Sequence, residues 1–444
     1  MGQRFPSAFL FGAATAAYQV EGAVSEDGRK PSIWDVFAHS QGKTFQGHTG
    51  DKACDQYHRY HEDVRLLKEL GLHSYRFSIS WPRIFPEGKG KLNSKGMDYY
   101  RRLVEELLRH EITPLVTLYH WDLPYALENQ GGWLQRDTMF YFAEYAQQVV
   151  REFAGTVHRF LTINEPSVVA YEGYLTGNHA PGHSDLLETV TVAHHLMAAH
   201  AYAVEAIRAV NRTVDIGIAL NLSPVYPSDP EEQATAITHD RVINQFFLDA
   251  ACKGRYPKEV LDVYGSVFDL SFLNAADLQT MARQQLNFLG VNYYFPTVVT
   301  AGLHPLLADV VPPREPLTDM GWSIDPNGLY DILMRIHKEY PLIPIYITEN
   351  GAAFADQLDG EKVNDTQRIA FLQGHLQMCE RALEQGVDLR GYYVWSLLDN
   401  FEWGFGYSKR FGIVYVDFAT MRRIPKASAY WLRDFIVAHS TREA

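Results

Sequence analysis

Eight short apolar segments recur along the chain, and each has the length and the β-branched or aromatic composition of a buried strand. Between nearly all of them lie longer stretches in which apolar residues repeat every three or four positions, as on one face of a helix. The predicted strands are 9–15, 74–80, 113–119, 160–164, 215–222, 287–293, 343–349 and 391–396. The predicted helices are 61–70, 94–110, 137–153, 188–210, 231–253, 365–385 and 426–438.

Alternating strands and helices predict a parallel sheet, and eight repeats of that unit predict a closed (β/α)₈ barrel, the TIM barrel. No linker of low-complexity composition interrupts the pattern, so we expect residues 1–444 to form one domain. The stretch 296–327 is rich in Pro, Gly and Leu, and we interpret it as a loop. Loops of that length inside a compact domain are usually functional, which predicts long loops around a pocket.

Two of the predicted strands end in glutamate. The run F-L-T-I-N-E ends at Glu165 and the run I-P-I-Y-I-T-E ends at Glu349, and turn formers follow both. A single glutamate at a strand end is most often a solvated loop residue. Active sites of these barrels lie at the carboxyl ends of the strands, so two such glutamates nearly opposite each other predict a two-carboxylate site, as glycoside hydrolysis requires. Because neighbouring carboxylates cannot both ionise freely, one pKa is expected to rise.

Further polar and aromatic residues fall in or just after the carboxyl parts of the strands. They are Gln19, Arg76, His120, Asn164, Asn221, Asn292, Tyr294, Trp395, Glu402 and Trp403. Such a set offers hydrogen-bonding groups and flat rings that suit a sugar. Two interpretations stay open for individual members. Arg76 either forms a structural ion pair or keeps one carboxylate ionised, and His120 is either a neutral donor to a ligand or satisfied within the wall.

Composition argues against several classes of function. The net charge is −13 and no stretch is strongly basic, which argues against nucleic acid or an anionic membrane surface as a partner. No apolar run approaches the length of a membrane span, and the first residues lack the pattern of a signal peptide. The cysteines, Cys54, Cys252 and Cys379, are too scattered for a disulfide framework or a zinc site. Reduced thiols are expected, as in the cytoplasm.

Motifs of other enzyme classes do not occur in the sequence. It contains no H-E-x-x-H, no glycine-rich nucleotide loop after a strand and no G-x-S-x-G elbow. Metalloprotease, nucleotide-binding and serine-hydrolase chemistry therefore have no support. We expect neither a cofactor nor a metal.

Nine ordered motifs resemble family 1 glycoside hydrolases, the β-glucosidase family, over nearly the whole chain. They are F-L-F-G-A-A-T-A-A-Y-Q-V-E-G, Y-R-F-S-I-S-W-P-R-I, L-Y-H-W-D-L-P, T-I-N-E-P, H-A-P-G, G-V-N-Y-Y, Y-I-T-E-N-G, W-S-L-L-D-N-F-E-W and G-Y-S-K-R-F-G-I-V-Y-V-D. The resemblance implies a retaining β-glucosidase that releases the terminal glucosyl residue of β-glucosides or cello-oligosaccharides through a covalent intermediate. It also implies a small-molecule glycoside as the binding partner, a role in cellulose degradation and a possible homo-oligomer.

The resemblance supplies roles that spacing cannot. It implies that Glu165 is the general acid/base and that Glu349 is the nucleophile. The residues expected to support the nucleophile are Arg76, Tyr294 and Asn292. Those expected to hold the sugar are Gln19, His120, Asn164, Trp395, Glu402 and Trp403, with Asn164 at the 2-hydroxyl and Trp395 under the ring. Trp322 and Asn221 are expected on the leaving-group side.

Two alternative functions stay open, as do the preferences for the sugar and for the leaving group. A 6-phospho-β-glycosidase has the same fold, although Glu402 in N-F-E-W would repel a phosphate; a non-catalytic sugar-binding member would have lost a glutamate. Glucose, galactose and fucose are not distinguished, because Gln19 and Glu402 can bond either epimer of the 4-hydroxyl. Phe160 replaces the tryptophan usual in the family, and the loop 296–325 is less typical, which leaves the leaving-group preference open.

Overall fold

Eight parallel strands close into a barrel in the computed structural model, which describes residues 5–302, 308–340 and 343–439. Each strand pairs with the strands before and after it along the chain, and the eighth pairs with the first. The strands are β1 Leu10–Ala14, β2 Ser74–Ser78, β3 Thr113–Tyr119, β4 Arg159–Asn164, β5 Asp215–Asn221, β6 Phe288–Asn292, β7 Ile345–Asn350 and β8 Leu389–Trp395. The predicted (β/α)₈ barrel is therefore confirmed.

Helices occupy the connections between the strands. The longer ones are Gln56–Glu69, Ser94–Arg109, Asp137–Glu152, Leu186–Val210, Gln233–Asp240, Phe246–Lys253, Lys258–Gly265, Ala275–Arg283, Pro326–Glu339, Thr366–Glu384 and Ala427–His439. Shorter ones are Ala17–Val20, Ile33–His39, Trp81–Ile84, Tyr125–Glu128 and Pro166–Ala170, and Tyr171–Leu175 and Arg241–Gln245 are π-helical. Within the described ranges, no helix has the length and apolarity needed to cross a bilayer.

The predicted loop at 296–327 is wrong in part. Strands Thr297–Thr300 and Asp309–Val310 lie within it and form a small sheet with Val225–Pro227, while residues 303–307 of that loop lie outside the described residues. These strands are too short to give a period, and their partner is distant in sequence.

Three of the longer helices are also absent from the prediction, namely Lys258–Gly265, Ala275–Arg283 and Pro326–Glu339. The last begins at a proline, which resembles a helix breaker in a sequence. Proline is in fact well suited to the first turn, where its missing N–H group is not needed. The side chain of Asp325 accepts a hydrogen bond from the backbone of Asn327 and caps this helix.

Each strand packs against an apolar layer on both of its faces. One lies between the strands and the helices, and the other fills the inside of the barrel. The inner layer includes Ala14, Leu115, Leu161, Ala219, Phe288, Tyr346, Tyr393 and Trp395. Because both faces of each strand are buried, the strands read as continuous apolar runs rather than as alternating patterns.

The regular pairing of the barrel is interrupted only at β4 and β7 in the part of the chain that is described. The register of β4 against β5 shifts between Leu161 and Asn164, and that of β7 against β6 shifts between Ile347 and Glu349. Further shifts occur between β7 and β8. Such bulges change the direction of nearby side chains. They occur at the ends of the two strands that lead to Glu165 and Glu349.

A buried group of charges joins the loops after β7 and β8 to the last helix. Lys426 Nζ donates to Asp399 Oδ1 at 2.7 Å and to Asp356 Oδ2 at 2.5 Å. Arg368 pairs with Asp356 at 2.7 Å, and Arg410 pairs with Asp399 at 2.6 Å. The Lys426 ammonium is inaccessible to solvent, and in the described part of the chain its hydrogen bonds go to these two carboxylates.

Lys426→Met is expected to lower the free energy of unfolding by about 3–5 kcal/mol, because it leaves buried carboxylates without their shared cation. Urea unfolding followed by tryptophan fluorescence measures the change. Lys362→Met is the matched control, since Lys362 is exposed and should unfold like the wild type. Equal midpoints for the two variants would contradict the assigned role of the buried charges.

Candidate active site

Glu165 and Glu349 meet at the carboxyl end of the barrel, as their positions at strand ends predict. Glu165 directly follows β4 and Glu349 lies near the end of β7. Both side chains are buried, with relative exposures of 4% and 2%. Glu165 has a φ of 49°, in the left-handed region that a residue other than glycine rarely adopts. Strained backbone of this kind is common at functional sites, where the surrounding structure holds it in place.

Arg76 connects four strands beneath these carboxylates. Its Nη1 donates to Glu349 Oε1 at 2.6 Å and to the Thr348 carbonyl at 3.0 Å. Its Nη2 donates to Asn164 Oδ1 at 2.7 Å, and its Nε donates to Thr117 Oγ1 at 3.1 Å. The two interpretations of Arg76 are compatible. Arg76 forms a buried ion pair, and its partner in that pair is the carboxylate of Glu349.

Amide and phenol groups complete the surroundings of the two carboxylates. Tyr294 donates its hydroxyl to Glu349 Oε2 at 2.5 Å. Asn292 Nδ2 donates to Glu165 Oε1 at 2.7 Å, and Asn221 Nδ2 donates to the same oxygen at 3.2 Å. The resemblance implies that Asn292 supports Glu349, and the two residues are paired across neighbouring strands. The side-chain hydrogen bonds of Asn292, however, go to Glu165, Asn164 and Thr348.

The surroundings give the two carboxyls different proton affinities. Burial raises the pKa of Glu165 to about 8, and the charge of Glu349 adds to the rise. Burial also raises the pKa of Glu349, but the Arg76 guanidinium and the Tyr294 hydroxyl oppose that rise. A cation touches Glu349, whereas neutral amides touch Glu165. The shared proton therefore belongs on Glu165 and the negative charge on Glu349.

A third carboxyl, Glu402, lies on the loop after β8. Burial raises its pKa to about 8, and the charges of Glu349 and Glu165 contribute to the rise. Gln19 Nε2 donates to the Phe401 carbonyl at 2.8 Å and lies 3.4 Å from Glu402 Oε2. Its Oε1 is buried without a hydrogen-bond partner among the described residues. A ligand hydroxyl is the kind of group that would satisfy such an oxygen.

His120 contacts Asn164 and lies beside two indole rings. Its Nε2 lies 3.1 Å from Asn164 Nδ2, and its ring stacks near Trp395 and Trp403 at centroid distances of 5.7 and 6.0 Å. Burial and the charge of Arg76 hold its pKa well below the ordinary value, so the imidazole is neutral. Its Nδ1 has no partner in the described part of the chain, which leaves one ring nitrogen for a ligand.

Trp322 lies in a group of aromatic rings beside the carboxylates. Its ring is 5.5 Å from that of Tyr294, 4.9 Å from that of Phe295 and 5.9 Å from that of Phe411. Because Tyr294 also contacts Glu349, the indole lies one side chain away from a carboxylate. The place of Trp322 on the leaving-group side stays a prediction.

Two threonines of the site were missed by sequence analysis. Thr117 accepts from Arg76, and Thr348 donates its hydroxyl to Asn292 Oδ1 at 2.7 Å. Both lie within barrel strands, where a β-branched residue is expected for its shape alone. No local signal distinguishes them from threonines that only pack.

Together these groups suit acid and nucleophilic catalysis on a sugar. One carboxyl carries a proton, its neighbour carries a charge beside a cation, and hydrogen-bonding groups and indoles line the adjoining walls. Among the described residues, no group of three or more His, Cys, Asp and Glu side chains is placed to hold a metal ion.

Known proteins resemble the chain along its full length. The model of "Glycosyl hydrolase family 1" matches residues 1–441. β-Glucosidase A of Acetivibrio thermocellus is 47% identical over 97% of this chain and 98% of its own. The crystal structure of the AHE enzyme from Alicyclobacillus herbarius is 46% identical, with a TM-score of 0.96 and complete coverage of both chains. A β-glucosidase from Thermotoga maritima in complex with azafagomine is 43% identical, with a TM-score of 0.94 over 99% of this chain and 100% of its own.

Glu349→Gln is expected to lower the pKa of Glu165 from about 8, because it removes the neighbouring negative charge that opposes ionisation. Burial should still keep the pKa above its ordinary value. A ¹³C NMR titration of the glutamate side chains, with Glu165→Gln to assign the signal, measures the change. Glu144→Gln is the control, since Glu144 is exposed. An unchanged Glu165 midpoint in Glu349→Gln would show that the carboxyls are not coupled.

Proposed function

The chain belongs to glycosyl hydrolase family 1 and is a glycoside hydrolase, and we propose that it is a retaining β-glucosidase acting on β-glucosides or cello-oligosaccharides. The observation that carries the proposal is the pair of buried glutamates with opposite surroundings. Glu349 has the guanidinium of Arg76 at 2.6 Å, whereas Glu165 has amide donors and a pKa of about 8. Such a pair supplies a nucleophile and an acid from one residue type.

In the proposed first step, the carboxylate of Glu349 attacks the anomeric carbon and the glycosidic bond breaks. The proton of Glu165 moves to the departing oxygen, and the sugar is left as an ester of Glu349. In the second step, Glu165 takes a proton from water, whose oxygen attacks the anomeric carbon and displaces Glu349. Two inversions give net retention of the β configuration.

The change in the role of Glu165 follows from the coupling of the two carboxyls. Formation of the ester removes the negative charge of Glu349, which is one cause of the raised pKa of Glu165. The pKa of Glu165 should then fall, so the group that was an acid in the first step becomes a base in the second. No other residue needs to move for this switch.

The residues proposed to hold the sugar lie in or after β1, β3, β4 and β8. They are Gln19, His120, Asn164, Trp395, Glu402 and Trp403. Two of their buried atoms, Gln19 Oε1 and His120 Nδ1, have no hydrogen-bond partner among the described residues, which supports this proposal. The flat faces of Trp395 and Trp403 offer stacking surfaces for the apolar face of a pyranose ring.

A 6-phosphorylated sugar has less support. Two neighbouring carboxyls, Glu349 and Glu165, already raise the pKa of Glu402, and a phosphate dianion beside it would add further repulsion. A non-catalytic sugar-binding role also has less support, because both glutamates are present and hydrogen-bonded. The unphosphorylated β-glucoside is the substrate that these charges favour.

The setting of the enzyme is also a proposal. Cys54, Cys252 and Cys379 form no disulfide, which supports a reducing compartment such as the cytoplasm. There the enzyme would act on soluble products of cellulose degradation, as one catalytic domain and within a homo-oligomer. Size-exclusion chromatography with light scattering measures the oligomeric state directly.

Glu349→Ala is expected to lower kcat for an aryl β-glucoside by at least about 10⁴-fold, because the nucleophile is lost. Far-UV circular dichroism should show an unchanged fold. Added azide should restore turnover by occupying the vacated space and attacking the anomeric carbon, with an α-glucosyl azide as the product. Glu384→Ala, an exposed glutamate, is the control and should keep full activity. Substantial residual hydrolysis in Glu349→Ala would argue against the assigned nucleophile.

Aryl β-glucoside is expected to be turned over at least about 100-fold faster, as kcat/KM, than its 6-phosphate, because none of the residues proposed to hold the sugar carries a positive charge and Glu402, when ionised, repels a dianion. Glu402→Gln should narrow that ratio by removing the ionisable group. A kinetic panel with and without the phosphate provides the measurement. A preference for the phosphorylated substrate would replace the proposed specificity with that of a 6-phospho-β-glycosidase.

A further inference from the structure

Asn292 lies between the two acids and is held at both ends of its amide. Its Nδ2 donates to Glu165 Oε1 at 2.7 Å and to Asn164 Oδ1 at 3.0 Å. Its Oδ1 accepts the hydroxyl of Thr348 at 2.7 Å. We propose that Thr348 is a positioning residue of the reaction, whose hydroxyl holds the amide of Asn292 in the position from which its NH₂ group donates to Glu165. This inference rests on the proposed function.

The directions of these hydrogen bonds follow from donor chemistry. Arg76 has only donors, so the Asn164 atom that it contacts at 2.7 Å is the carbonyl oxygen. The end of Asn292 that faces this oxygen must therefore be the NH₂ group. Its other end is then the carbonyl oxygen, and the hydroxyl of Thr348 must donate to it. The guanidinium of Arg76 therefore determines which way the amides of Asn164 and Asn292 are turned.

A fixed neighbour is needed because Glu165 changes its protonation state in the proposed reaction. An ionised Glu165 accepts from the NH₂ group of Asn292, but a protonated carboxyl can donate to a carbonyl oxygen instead. A protonated Glu165 would therefore favour a rotated Asn292. The oxygen of Asn164, which Arg76 holds facing Asn292, opposes that rotation, because a rotated amide would direct its own oxygen at it. The hydroxyl of Thr348 adds a hydrogen bond to the amide oxygen of Asn292 and so keeps the amide in place beside Glu165.

The local backbone makes room for this contact. The register of β7 against β6 shifts between Ile347 and Glu349, on either side of Thr348. A Cβ atom at Gly290 on β6 would lie 2.9 Å from both Oγ1 and Cγ2 of Thr348. Glycine at that position therefore leaves the space that the threonine side chain occupies beside Asn292.

Thr348→Val and Thr348→Ser test the proposal through the pH dependence of kcat/KM for an aryl β-glucoside. The hydrogen bond from Asn292 to Glu165 lowers the pKa of that carboxyl, so weakening it should raise the pKa. In Thr348→Val, the alkaline limb of the profile, which reports Glu165, should move to higher pH by about half to one unit, the size of one hydrogen bond to a single protonation state. Thr348→Ser keeps the hydroxyl and should retain the wild-type limbs.

Thr162→Val is the matched control. Thr162 is a buried barrel threonine whose hydroxyl bonds His200 Nδ1 at 2.6 Å, away from Asn292. Its loss should lower thermal stability without moving the pH limbs. If Thr348→Val loses activity or stability while its limbs stay at the wild-type pH, the role of Thr348 is only structural and the proposal is overturned. Identical limb shifts in Thr162→Val would overturn it as well.

Two further outcomes are distinguishable. If Thr348→Val does not fold, Thr348→Ala removes the same hydroxyl without adding a methyl group in its place, and the same shift is expected. If the wild-type enzyme hydrolyses no β-glucoside, the proposed function and this inference both fail. An active wild type whose Thr348→Ala profile is unchanged overturns only the positioning role.

Discussion

The buried guanidinium of Arg76 is the constraint on which the site depends. It is 1% exposed, and its ion-pair partner Glu349 is equally enclosed. Removing a charge from water is costly unless a partner and hydrogen bonds replace the solvent. Arg76 meets that condition with donors to Glu349, Thr348, Asn164 and Thr117, which lie on three different strands. Arg76 therefore favours the ionised form of Glu349 and determines the directions of several hydrogen bonds.

Desolvation is the common cause behind the chemistry of the pocket. Burial raises the pKa of Glu165 and Glu402 and lowers that of His120, so three groups that would be charged or easily protonated in water tend toward neutrality here. Glu349 is subject to the same effect but has the cation beside it. The proton affinities of Glu165 and Glu349 therefore differ because of their neighbouring groups, since both side chains are buried to a similar extent.

The barrel brings these charged and hydrogen-bonding groups together. Parallel strands bring their carboxyl ends to one edge, which collects Arg76, Asn164, Asn292 and Glu349 from four strands. The bulges in β4 and β7 then turn side chains at those strand ends. Buried charges behind the loops after β7 and β8 hold the segment that carries Glu402.

The sequence by itself determined the architecture and the identity of the two acids. Strand count, strand order and the glutamates at 165 and 349 follow from local periodicity and turn formers, and the ordered motifs identified the family. Local pattern did not reveal the short strands at 297–300 and 309–310 or the helix that begins at Pro326. Two residues of a strand carry no period, and proline reads as a breaker unless its cap is seen.

Only the tertiary structure decided which residue touches which. Arg76 and Glu349 are 273 positions apart, so no local pattern links them, and their contact exists only because the barrel closes. The same closure brings the amide of Asn292 to Glu165 and gives Thr348 a polar partner. Periodicity reports which face of an element is buried. The register shifts, hydrogen-bond directions and charge neighbours that distinguish Glu165 from Glu349 arise only when distant strands are packed together.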